Sequence, residues 1–99
     1  MPSYVTLEQA KAHLRVVVAD EDTDIDLKSQ QAAGIIADYL KSRADDSWDE
    51  TTVPTPVQAA TLLMLTHLYE HRGDEMAADL PLWAAIDRLL VRYRDPALA

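Results

Sequence analysis

Ala59-Ala60-Thr61-Leu62-Leu63-Met64-Leu65-Thr66-His67-Leu68-Tyr69-Glu70-His71-Arg72 is apolar around most of a helical circumference and becomes polar only in its last turn. Pro54-Thr55-Pro56 precedes it and Gly73 follows, so one helix is bracketed by its own punctuation. Thr55 is suited to the N-cap, Pro56 to the first helical position, and Gly73 to a left-handed C-cap. A helix apolar on so many sides is stable in water only at the centre of a bundle or shared between subunits.

Downstream, the acidic segment 74–79 leads to Leu80-Pro81, where proline opens a last helix. That helix puts Trp83, Ile86, Leu89 and Leu90 on one side and Asp87, Arg88 and Arg92 on the other, and Asp95-Pro96 ends it. Upstream lies an acidic, turn-rich loop over 44–54 with Trp48 inside it. Before the loop, a helix runs to about Ser42 with Ile25, Ala32, Ile36, Tyr39 and Leu40 at helical spacing and Ile35 beside them. Asp20-Glu21-Asp22-Thr23-Asp24 supplies its N-cap and places negative charge at the positive end of its dipole. Gly34 interrupts it at a cost of about 1 kcal/mol relative to alanine, which predicts close approach of a neighbouring helix there.

At the start, Thr6-Leu7-Glu8-Gln9 has the form of a capping box and opens a helix ending near His13 to Arg15. Val16-Val17-Val18 is β-branched and predicts a short extended link, with no second strand to pair with. The expectation is therefore an all-α fold: a small bundle of about four helices with long acidic loops, forming a single domain over residues 1–99.

Composition narrows the function. The chain has 99 residues, 48% of them hydrophobic but with no Phe, so its core is thin unless subunits bury more surface together. There is no cysteine, which excludes disulfides and thiolate metal sites. No basic segment followed by an apolar run marks a signal peptide, and the apolar run over 59–69 is too short to span a bilayer, so a soluble intracellular chain is expected. Seventeen acidic residues against nine basic ones give a formal charge of −8. Only Arg88, Arg92 and Arg94 cluster, so the basic stripe that releases counterions from nucleic-acid phosphates is missing.

Chemistry-bearing patterns are few. His67-Leu68-Tyr69-Glu70-His71 matches H-x-x-E-H, in which two imidazoles on one helix face bind zinc beside a catalytic glutamate. A third ligand would have to come from Asp74, Glu75, Asp79, Asp87 or Asp95, most of them in loop sequence. The simpler reading makes His67 partly buried and His71 a surface cation at a helix C-terminus. The acidic run Asp20 to Asp26 lacks the central glycine and terminal glutamate of a calcium loop, and two glycines in the whole chain build no phosphate cradle. No catalytic residue, cofactor or metal is therefore assigned. Trp48 reads either as a core lid or as an anchor for a partner. Tyr69 and Arg72 read as contacts within the chain that tie the last helix to the third, whereas the tail from Tyr93 to Ala99 is the better interface candidate.

Taken in order, several segments resemble one family. Val5-Thr6-Leu7-Glu8-Gln9-Ala10-Lys11-Ala12-His13-Leu14-Arg15-Val16 is similar to the start of the small head–tail connector (adaptor) proteins of tailed phages. The acidic Asp20–Ile25 segment and the helix after it follow in the family's order. So do Pro56-Val57-Gln58-Ala59-Ala60, His67-Leu68-Tyr69-Glu70-His71-Arg72, and the ending with Leu80-Pro81, Leu89-Leu90 and Tyr93-Arg94. The chain departs from the family pattern at His71 and at Val91-Arg92.

The resemblance implies a structural, non-enzymatic subunit of a phage or prophage particle, assembled in a bacterial host cytoplasm and located at the head–tail junction. It implies a homo-oligomeric ring below the portal protein that extends the DNA channel and docks a tail-completion or head-closure protein. DNA would pass through without sequence-specific binding. On that reading the Asp45, Asp46, Asp49 and Glu50 loop, or else the first turn of the second helix, is the candidate to face the channel, and Trp48, Arg92, Tyr93 and Arg94 are candidates for interfaces. Two other classes fit the composition: a small acidic helical protein-binding module, and a zinc hydrolase using the H-x-x-E-H pattern.

Overall fold

Four helices follow one another in the computed structural model: α1 (Leu7–Leu14), α2 (Asp22–Leu40), α3 (Thr55–Glu70) and α4 (Leu80–Leu90). The structure describes residues 3–41, 44–45, 47–70 and 80–93, the side chains of 80 and 81 excepted. No strand occurs among these residues.

The expected central helix is α3. Val57, Ala60, Thr61, Met64 and Leu65 recur at steps of three and four and are fully buried, while Leu62, Leu63 and Leu68 are half-buried around them. This width lets α3 pack against all three other helices. Each large side chain buried in this way contributes about 1.5–3 kcal/mol. Thr61 sits among them because its hydroxyl donates to the Val57 carbonyl (2.9 Å) one turn back, so no polar atom is stranded. The helix begins one residue earlier than its punctuation suggests: the Gln58 N–H donates to the Pro54 carbonyl (3.0 Å), which makes Thr55 the first helical residue.

In α2 the buried face is Ile25, Ser29, Ala32, Ala33, Ile36 and Leu40, the expected stripe with a serine in it. The Ser29 hydroxyl is satisfied by the Asp26 carbonyl at 2.8 Å. Two expectations fail here. The acidic run does not cap α2 through a side chain: the N-cap residue is Glu21, which makes no capping hydrogen bond, and the run acts through Asp22 and Asp24 in the first turn. Nor does Gly34 mark close helix contact. A Cβ built there would meet nothing within 4 Å. The helix stops at Leu40, because Lys41 takes a positive φ of 53°.

The capping box of α1 forms as expected. The Gln9 N–H donates to Thr6 Oγ1 (3.0 Å) and the Thr6 N–H to Gln9 Oε1 (2.8 Å). At the other end Arg15 adopts φ 60°, ψ 38°, with its N–H on the Ala12 carbonyl and that of Val16 on the Lys11 carbonyl. This pair of bonds is the Schellman pattern, made here by arginine where glycine is favoured. It costs roughly 1–2 kcal/mol of left-handed strain. Lys11 then lies 2.7 Å from Asp22 Oδ1 and ties α1 to the start of α2; the contact is an ion pair without hydrogen-bond alignment.

The last helix buries Ile86 and Leu90 and rests Trp83 against Tyr39 of α2, ring centroids 5.4 Å apart. Asp87 does not sit on the solvent side as its spacing suggests. It accepts the Tyr39 hydroxyl at 2.6 Å and is partly buried. The N-terminal segment also joins the core: Tyr4 and Val5 are 2% exposed, and the Tyr4 carbonyl accepts Gln58 Nε2 at 3.0 Å.

Candidate assembly and channel surfaces

The loop between α2 and α3 holds most of the residues singled out from sequence. Asp45 accepts the Ser47 N–H (2.8 Å) and hydroxyl (2.7 Å) on one oxygen. Asp49 repeats the device, accepting the N–H groups of Thr51 (2.8 Å) and Thr52 (3.0 Å) and both threonine hydroxyls. These bonds favour the charged carboxylates. The Ser47 hydroxyl and N–H hold Asp45 below its ordinary value of 3.8, and the Thr51 hydroxyl and N–H, then Thr52, do so for Asp49. The loop is therefore a pair of self-bonded acidic turns, exposed and fixed in charge. Glu50 is half-buried beside them, and Asp46 lies outside the described residues.

Trp48 sits between the two turns. Its ring meets Tyr4 edge-on, with centroids 6.0 Å apart at 73°, and it remains partly exposed. Trp48 thus covers the core while one side still faces outward. Of the C-terminal candidates, Arg92 is exposed, Tyr93 packs partly on the core, and Arg94 falls outside the described residues. Arg88 and Val91 are exposed near Arg92.

Tyr69, expected to tie α3 to the last helix, makes its described hydrogen bonds to the start of α2. Its hydroxyl lies 2.9 Å and 3.0 Å from the two Glu21 oxygens. Arg72 and His71 lie outside the described residues, so the second imidazole of the H-x-x-E-H pattern has no described position; His67 is half-buried. Among the described residues, no group of three or more His, Asp or Glu side chains could hold a metal ion. No helix among them is long and apolar enough to cross a membrane.

One further feature could not be located from the sequence. Between α2 and α3 opens a hollow of about 500 Å³, lined by Gln31, Gly34, Ile35, Asp38 and Leu68. It is visible only once the helices are packed, because Leu68 comes from a different helix. The one hint in sequence was Gly34, read there as a contact rather than a gap.

Residues 4–80 match the family described as phage gp6-like head-tail connector protein. The chain belongs to that family. The connectors are structural components of phage particles, not a known enzyme class, and their place is the virion head–tail junction. The connector match ends as α4 begins. A likeness in fold continues beyond it: the crystal structure of bacteriophage HK97 gp6 superposes with a TM-score of 0.74. That likeness covers 93% of this chain and 94% of the other, at 24% sequence identity. No curated protein matches this connector's sequence significantly.

Proposed function

We propose that this connector acts as one subunit of a closed ring below the portal, extending the DNA channel and presenting a surface to tail-completion or head-closure proteins. The observation that carries the reading is the family match over residues 4–80. The physical character of the chain supports it. A formal charge of −8 and an acidic loop whose carboxylates are held ionised repel DNA phosphates, as a conduit for moving DNA requires. Asp45, Asp49 and Glu50, with Asp46, are the residues assigned to the channel side. Trp48, Arg92, Tyr93 and Arg94 are assigned to contacts with neighbouring subunits or the portal.

Exposed apolar side chains give such contacts material. Val17 is 93% exposed, Val91 62%, Val18 52% and Leu27 49%. A head-to-tail contact whose rotation closes produces a ring. The test is to mix the purified chain with its cognate portal and measure mass by size exclusion with light scattering. Co-elution with several copies per portal assembly supports the role, and separate elution at every concentration tried refutes it.

A further inference from the structure

Two apolar features of the connector have no counterpart among the described residues. The first is the link between α1 and α2. Left-handed Arg15 turns the backbone at the end of α1, and Val17 and Val18 then project with 93% and 52% of their surface exposed. Isolated exposed valines are ordinary, but these two are adjacent in the short link that follows the turn at Arg15, and together they form an apolar knuckle.

The second is the hollow between α2 and α3. Apolar Ile35 and Leu68, polar Gln31 and Asp38, and Gly34 line it. A mid-helix glycine is unfavourable unless something needs the space that a side chain would fill. No described residue comes within 4 Å of a Cβ built there, so no contact among the described residues accounts for the glycine. At about 500 Å³ the hollow accommodates a pair of valine side chains with their backbone.

Charge points to the same pairing. Arg15 is exposed two residues before Val17, and Asp38, which lines the hollow, is exposed. Neither makes a side-chain hydrogen bond or ion pair among the described residues.

We infer that Val17 and Val18 of one copy seat in the Gly34–Ile35–Leu68 hollow of the next copy, with Arg15 against Asp38. The knuckle precedes Asp22, and Gly34 lies about 18 Å further along α2, so the two features are different surfaces. A contact between different surfaces is heterologous, and its repetition builds the ring. The inference rests on the ring reading given above and names the contact that closes it.

The test uses the full chain, which has no cysteine, with and without the cognate portal. A V17C/G34C double variant treated with an oxidant should give a ladder of disulfide-linked species beyond the dimer on a non-reducing gel. Either single variant should give dimers at most. Independently, Gly34→Trp fills the hollow and Val17→Asp charges the knuckle. Each should raise the concentration needed for assembly at least tenfold while the helical circular-dichroism signal is kept. Rings that form from both variants at the unmodified concentration, with no ladder from the double variant, overturn this contact and leave the ring reading intact. A wild-type chain that never assembles on its portal overturns both.

Discussion

The Tyr69 hydroxyl bridges both oxygens of Glu21, at 2.9 Å and 3.0 Å, and so joins the last described turn of α3 to the residue that opens α2. The two residues are 48 positions apart, and the bond fixes where these helix ends meet. A hydroxyl donating to a partly buried carboxylate is a charge-assisted bond. Tyr69→Phe removes the donor alone. Its expected effect is a loss of about 1.5 kcal/mol, seen as a fall of roughly 6–10 °C in the midpoint of thermal unfolding. Glu21→Gln keeps an acceptor and should cost less; equal losses from the two variants would contradict the assignment.

At the other end of the bundle, Thr6 and Gln9 satisfy each other's backbone N–H groups. Because α1 has only 8 residues, its cap is a large share of what holds it. Thr6→Ala should lower stability by about 1 kcal/mol. Amide exchange should speed up first in the opening turn of α1, and an unchanged exchange pattern would argue against the cap.

Gly34 gives the opposite sign. Its position is helical, and an added Cβ meets open space. Gly34→Ala should therefore stabilise the isolated chain by about 1 kcal/mol through helix propensity. Denaturant unfolding measures this directly. A destabilised variant would show that some neighbour occupies the space.

These three positions also show how far the sequence could be read. The four helices, the capping box and the burial of α3 follow from spacing and punctuation, because each is decided by residues within one or two turns. The bond between Tyr69 and Glu21, the seat of Asp87 on Tyr39 and the burial of Tyr4 depend on how helices cross. No local pattern carries that information. Gly34 suggests a close contact because contact is the commoner reason for a glycine in a helix; packing alone shows that no described residue meets a Cβ there. For the acidic loop, the residues were legible but their mutual hydrogen bonds were not, since Asp45 and Asp49 bond to Ser47, Thr51 and Thr52 in turns that charge counting does not register.

Those turns set a pH dependence. Asp45 and Asp49 have folded-state values below 3.8, so their favourable contribution is fully present above 3.8 and is lost as pH falls through the lower folded values. Between pH 7 and 5 the loop should keep both charges. An NMR titration of the carboxyl carbons should place both midpoints below 3.8, and a midpoint at or above that value would mean that the turns are not formed.

Electron cryo-microscopy of the purified chain bound to its cognate portal tests the assembly most directly. The expected image is a closed ring of identical subunits beneath the portal, with the loop carrying Asp45 and Asp49 lining a continuous axial opening. Single copies scattered on the portal, or a plugged axis, would contradict it.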